Sequence, residues 1–265
     1  MIPKKIHYCW FGNNPKPPIA EFCIQSWKKF NPDFEIIEWN ETNFDVNLNQ
    51  FAREAYNKKK WAFVADVARV YALFNHGGFY LDTDMEMKGP LSDFTHESAI
   101  CGFEIKNLPY SAFWGIEKGH ILGEKMLAHY NETIFEEIPN THIFSKLLVE
   151  EFGADAEKDT FQKLKHNVSL YPSNYFSLDL PLNYVTHHFS GSWHDSWTAE
   201  ENHYKQMVNM YGILNMLLNE ENSKKKITNV VLNHKALNID DVLDKIPTRY
   251  IFNYMKQKLK KRIGL

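Results

Sequence analysis

The sequence predicts an α/β fold built on a mixed sheet, from three observations. Short β-branched or aromatic runs alternate with helical stretches near the N-terminus. One run, "WAFVADVARVYALF" (Trp61 to Phe74), has the three- and four-residue apolar spacing of a helix with a buried face. Directly after it come two glycines and a short apolar strand that stops on two carboxylates, "GGFYLDTD".

The elements follow in order. Lys4 to Trp10 reads as an opening strand, and the Gly-, Asn- and Pro-rich "FGNNPKPP" after it as a loop. Ile19 to Phe30 reads as a helix with Phe22, Trp27 and Phe30 among its apolar positions. Phe34 to Trp39 is the next strand. The helix over Trp61–Phe74 ends at "NHGG", where glycine supplies a left-handed cap, and Phe79–Leu81 is the following strand. Ser98–Glu104, Ser111–Ile116 and Asn183–Phe189 read as further strands, with helices at His120–Tyr130 and His142–Glu151. We divide the chain into a catalytic domain, residues 1–198, and a mostly helical C-terminal extension, residues 199–265. The extension ends in a basic amphipathic tail with Phe252, Met255, Leu259 and Ile263 on one stripe and Lys256, Lys258, Lys260, Lys261 and Arg262 around it.

Composition narrows the function. The 265 residues are 44% hydrophobic, enough for a substantial core. A net charge of -3 argues against a general nucleic-acid binder, whose affinity rests on neutralising phosphates. Cys9, Cys23 and Cys101 are an odd, widely spaced set, which fits reduced, buried cysteines in a cytoplasmic protein rather than a disulfide frame or zinc site. Neither a secretory signal nor an apolar run long enough to span a bilayer is expected.

The chemistry centres on Asp82 and Asp84. Two like charges held close raise the free energy unless a cation or hydrogen-bond donors compensate. An EF-hand reading fails because the sixth position is Met87, where the loop needs glycine. A phosphohydrolase of the haloacid-dehalogenase kind is disfavoured by Glu86. An exposed Asx turn remains open beside a divalent cation, Mg²⁺ or Mn²⁺, bound by Asp84 and, directly or through water, Asp82. Asp66 and Arg69, one helical turn apart among apolar neighbours, are candidates to face a pocket rather than bulk water.

The stretch "VADVARVYALFNHGGFYLDTDM" (Val64 to Met85), with its Asp-x-x-Arg helix, Gly-Gly break and Asp-x-Asp, resembles the signature of the DXD-containing sugar transferases of glycosyltransferase family 32. These capsule and yeast mannosyl enzymes are related to the glucosylating domains of large clostridial toxins. "IPKKIHYCWFG" and "HHFSGSW" are similar to the family's opening strand and late loop, so the likeness covers most of residues 1–195.

The resemblance implies a GT-A type nucleotide-sugar-binding fold and a nucleotide-sugar glycosyltransferase. Its donor would be a UDP-linked hexose, and its acceptor a glycan, lipid-linked in one version. It further implies transfer with retention, metal dependence and a role in surface or capsular polysaccharide synthesis. By residue it implies Trp10 stacking on the base, Asp66 and Arg69 on donor sugar and phosphates, Asp82 near sugar or ribose hydroxyls, and Asp84 on the metal. His188 is the expected further metal ligand, with His187, Ser190 and Ser192 competing for metal or phosphate and Trp193 covering the diphosphate. Glu104, Asn107 and Asp195 are acceptor-side candidates. A non-catalytic nucleotide-sugar or glycan binder on the same fold is the alternative. The basic tail suggests peripheral attachment to an anionic inner membrane surface, with a solvated helical face as the other reading.

Overall fold

The computed structural model describes residues 1–180 and 182–190. The expected boundary at 198, the extension and the basic tail lie outside the described residues.

The first strand, β1 (Lys5–Cys9), sends alternate side chains to opposite faces: Ile6 and Tyr8 to one core layer, Cys9 to the other. Helix α1 (Pro18–Phe30) starts on a proline whose fixed φ suits a first helical turn. It buries Ala20, Cys23, Ile24 and Trp27. The indole of Trp27 donates to the carbonyl of Met85 at 2.6 Å. Phe22 is not on this stripe. It sits on the far side of the helix, 53% exposed, because the buried positions 20, 23, 24 and 27 already define the inward face.

Strand β2 (Glu35–Trp39) pairs parallel with β1. Two helices follow. Helix α2 (Gln50–Asn57) was not anticipated, although Asn49 caps it by accepting from the Ala52 N–H at 2.8 Å. Helix α3 (Trp61–His76) has the expected span and two further residues. It ends at Gly77, with φ +64° and ψ 175°, so the glycine has the expected positive φ in an extended rather than helical geometry. A Cβ there would lie 2.7 Å from the backbone nitrogen of Lys118 and 2.9 Å from Pro3. Glycine is required by both conformation and space.

Strand β3 (Gly78–Leu81) lies parallel to β1 on the side opposite β2. After Asp82–Asp84 comes a short strand, β4 (Met85–Met87), then a 3₁₀ turn, Leu91–Phe94. A hairpin of β5 (Ala99–Ile105) and β6 (Leu108–Ile116) follows, then helices α4 (Ile121–Glu132) and α5 (Asn140–Glu150). Strands β7 (Gln162–Lys163) and β8 (Val168–Tyr171), helix α6 (Ser173–Phe176) and strand β9 (Val185–His187) complete the described residues. The main sheet has the order β2-β1-β3-β6-β5-β8-β7 and is mixed, as the sequence predicts; β4 and β9 pair separately. Among the described residues no helix is long and apolar enough to cross a membrane.

One core layer lies under α2 to α5 and includes Val64, Val67, Leu73, Trp114 and Phe144; the other, under α1 and α6, includes Ile6, Trp27, Phe79, Phe113 and Phe176. All three cysteines are buried and none is in a disulfide. His7 fastens β1 to its surroundings. Its Nδ1 accepts from the Trp39 indole at 3.0 Å and its Nε2 lies 2.8 Å from the Gly77 carbonyl, so the neutral ring carries its proton on Nε2.

This topology places the site. The chain leaves β1 in one direction to make β2 and returns on the other side of β1 to make β3. In open α/β sheets, ligands bind at such a reversal, beyond the carboxyl ends of the strands. Trp10 follows the end of β1, and Asp82 follows the end of β3.

Candidate active site

Arg69 organises the site. Helix α3 carries it with Asp66 one turn earlier, and both are only 6% exposed. The guanidinium reaches Asp66 Oδ1 at 3.0 Å, Asp82 Oδ1 at 3.2 Å and the Ser111 carbonyl at 3.1 Å. It also lies over the Tyr80 ring, 4.5 Å from its centroid. Tyr80 in turn donates its hydroxyl to Asp82 at 2.9 Å. A planar cation suits this position because it can meet two carboxylates and stack on a ring at once.

Burial and charge set the protonation. Burial pushes the Asp66 carboxyl up to about 6, against the pull of Arg69. Burial also raises Asp82, with Arg69 opposing and the neighbouring Asp84 charge adding to the rise. Asp84 goes the other way. Burial favours its neutral form, but His187 and the hydrogen bonds it receives hold it well below the usual carboxylate range. The contacts are His187 Nε2 at 3.4 Å and the Ser190 N–H at 2.7 Å. His187 is raised correspondingly: burial disfavours its charged form, and Asp84 outweighs that.

Pairing of β4 with β9 brings the late loop here, setting His187 opposite Met85. The backbone then turns through Phe189 at φ +50°, a left-handed conformation uncommon for a bulky residue, and in this turn the Ser190 N–H points back to Asp84. The His188 N–H donates to the Asp84 carbonyl at 3.0 Å, while its ring pairs with Glu86 at 3.0 Å. The histidine ring beside Asp84 is therefore that of His187 rather than His188. The contact forms where the chain leaves the β4–β9 pairing, and two adjacent histidines in a sequence do not reveal which of them will lie beside the carboxylate.

Residues 17–100 match the family model described as the glycosyltransferase sugar-binding region containing the DXD motif. These 84 residues, about a third of the chain, are similar to that family. The chain is 30% identical over 130 residues to inositol phosphoceramide mannosyltransferase 3 of the fission yeast Schizosaccharomyces pombe, covering 45% of this chain and 34% of that protein. It thus spans about a third of that curated relative.

Among solved structures, it is similar to the PaToxG glycosyltransferase, at a TM-score of 0.43 and 16% identity over 57% of this chain and 69% of that one. It is also similar to a glycosyltransferase involved in glycosylation of the major capsid of PBCV-1, at a TM-score of 0.41 and 10% identity over 76% and 99% of the two chains. The galactosyltransferase LgtC, solved with donor and acceptor sugar analogs, is similar at 0.38 and 12% identity, over 78% and 95%.

The expected α/β fold on a mixed sheet is present, with the Asp-x-Asp at the carboxyl end of β3. The structure brings Asp66, Arg69, Asp82, Asp84, His187 and the Ser190 backbone together. Trp10 stands partly exposed just past β1, with its indole donating to the Asn14 carbonyl at 2.6 Å. Ser192, Trp193 and Asp195 lie outside the described residues. Glu104 is 7% exposed, and its charge bears on His187 and Tyr110, so it belongs to the inner wall; Asn107 forms the tip of the β5–β6 turn at φ +72°.

Tyr80 and the Ser111 carbonyl were not anticipated. Tyr80 lies in a strand whose apolar pattern made it read as core, and backbone groups leave no trace in a sequence.

Among the described residues no group of three or more His, Cys, Asp or Glu side chains converges as a metal cage. The donor set still suits a hard divalent cation. Mg²⁺-type ions are held by one or two carboxylates, with phosphates and water filling the other positions. Asp84 is kept ionised, and Asp82 retains a 30% exposed side chain that can face a ligand.

Proposed function

We propose that this protein transfers a hexose from a UDP-linked donor to a glycan acceptor with retention of configuration. The observation that carries this reading is the Asp66–Arg69–Asp82 ion cluster in the crevice beside an ionised Asp84. Asp84 and Asp82 would hold Mn²⁺ or Mg²⁺, which on binding supplies positive charge for the departing diphosphate. Arg69, fixed by two carboxylates and a ring, presents its charge without reorganisation during the reaction. Asp66 and Asp82 offer oxygen acceptors for sugar or ribose hydroxyls, and positioning of the two substrates contributes much of the rate. The bond from the anomeric carbon to the diphosphate oxygen breaks, with the electron pair leaving on the diphosphate. The acceptor hydroxyl oxygen bonds to the same face of that carbon and loses its proton to the departing phosphate oxygen.

The relative named for mannosyl transfer to inositol phosphoceramide supports a hexose and a lipid-linked acceptor. We assign the biological role to surface or capsular polysaccharide synthesis at the cytoplasmic face of the membrane. The basic tail, outside the described residues, would dock there, each Lys or Arg contributing about 1 kcal/mol near an anionic surface.

A panel of nucleotide-sugars assayed for nucleotide release, with and without EDTA, tests the assignment. Asp84→Ala is expected to abolish metal-dependent release while leaving a cooperative thermal transition. An active Asp84→Ala variant, or a wild-type protein that binds donors without turnover, refutes it.

A further inference from the structure

Buried polar atoms without hydrogen-bond partners gather around Asp66. Among the described residues they include both side-chain atoms of the Asn140 amide, the Tyr130 hydroxyl and Arg69 Nε. Such atoms give up their bonds to water and gain none in exchange, so a fold that keeps them calls for a reason. Helix α4 contributes Tyr130, which is fully buried, and a buried tyrosine ordinarily finds a partner for its hydroxyl. Helix α5 contributes Asn140, its first residue, only 5% exposed. Asparagine usually serves a helix start by capping it. Here the cap position belongs to Pro139, and the helix uses neither atom of the amide.

The three side chains are neighbours. Burial raises both the Asp66 carboxyl and the Tyr130 hydroxyl, and the nearby Asn140 amide pulls each of them back. The amide is close to both and bonded to neither. Arg69 engages Asp66 through Oδ1 at 3.0 Å, which leaves the second carboxylate oxygen as an acceptor. The same guanidinium reaches Asp82 at 3.2 Å, so the unpaired groups adjoin the Asp-x-Asp.

Chemistry limits what would satisfy them. A carboxylate accepts, whereas an amide and a phenol each donate and accept. Asp66 would repel an anion. A sugar hydroxyl both donates and accepts, so it can pair with all three. We propose that Asn140 and Tyr130, together with Asp66, bind hydroxyls of the transferred hexose and so select the donor sugar. Both residues lie beyond 17–100, the stretch that matches the family model. This rests on the transferase reading above.

The donor is first identified, with the full chain and Mn²⁺, as the one among UDP-glucose, UDP-galactose and GDP-mannose that releases nucleotide fastest. Turnover is then compared for that donor and for analogues in which one sugar hydroxyl at a time is replaced by hydrogen. The wild type is expected to lose at least about tenfold in kcat/KM with one or more analogues, the scale of a single hydrogen bond. Asn140→Ala should lose a similar factor with the complete donor and most of its discrimination against one of those analogues, a coupling that a merely structural role would not produce. Tyr130→Phe keeps the ring and its packing, and should lower kcat/KM for the complete donor at least about threefold while affinity for the bare nucleotide is kept. A wild type indifferent to every hydroxyl, an Asn140→Ala enzyme that keeps full discrimination, or a Tyr130→Phe enzyme as active as wild type overturns the proposal and leaves the transferase reading standing. A wild type that releases nucleotide from no donor refutes the transferase reading itself.

Discussion

Arg69→Met tests whether the site is a buried electrostatic unit. The methionine keeps most of the aliphatic stem but removes the group that faces Asp66 at 3.0 Å, Asp82 at 3.2 Å and the Ser111 carbonyl at 3.1 Å. A buried carboxylate, Asp66, and a partly exposed one, Asp82, are then left facing each other. Removing one partner of a buried ion pair costs about 3–5 kcal/mol. The pH dependence makes the argument specific. Asp66 titrates near 6 in the fold against an ordinary 3.8, so the folded state takes up its proton more readily. Its charged form therefore opposes folding above pH 6, by about 3 kcal/mol at 1.36 kcal/mol per pH unit, and the opposition fades as pH falls toward 3.8.

Without Arg69 both carboxyls rise further, and the variant's deficit shrinks on acidification from a higher starting pH. Urea unfolding followed by tryptophan fluorescence at pH 8, 6.5 and 5 measures this. The gap between wild type and Arg69→Met should be largest at pH 8 and clearly smaller at pH 5. Asp66→Asn added to Arg69→Met should recover part of it. A gap below about 1 kcal/mol at pH 8, the range of exposed pairs, or one that widens on acidification, refutes the reasoning.

Further outcomes follow from the fold. His7 is held down to about 4 by burial, so the unfolded chain binds its proton first, and stability is lost as pH falls from 6.5 toward 4. At 1.36 kcal/mol per unit this amounts to about 3 kcal/mol. His7→Gln, which can still donate to Gly77 and accept from Trp39, should flatten that part of the urea-midpoint curve; parallel curves count against it. Gly77→Ala places a Cβ against the Lys118 backbone at a positive φ, and should lower stability by at least about 2 kcal/mol, read as a fall in thermal midpoint. An unchanged midpoint removes the steric account.

Much of the fold was legible because its signals are local. The 3.6-residue apolar spacing of Trp61–Phe74, the glycine break after it and the apolar strand before Asp82 each follow from a few neighbouring residues, and they located α3, β3 and the Asp-x-Asp. Where the signal is short or shared, it failed. Strands β4 and β7 have three and two residues, too few for a period to show. Phe22 counted among the apolar positions of its helix, and the helix turned it outward.

By itself, the sequence determined which groups the site would have: a carboxylate and an arginine one turn apart on a helix, and two carboxylates at a strand end. Only tertiary structure decided how they meet. It put Arg69 between Asp66 and Asp82 because α3 packs on the sheet at β3, and it brought His187 to Asp84 by pairing β9 with β4. It also holds Asp84 well below the usual carboxylate range, by setting His187 beside it and aiming the Ser190 N–H at it from the far end of the described chain. Charge on a side chain is written in the sequence. Whether that charge is kept depends on burial and on partners that folding brings from a hundred residues away.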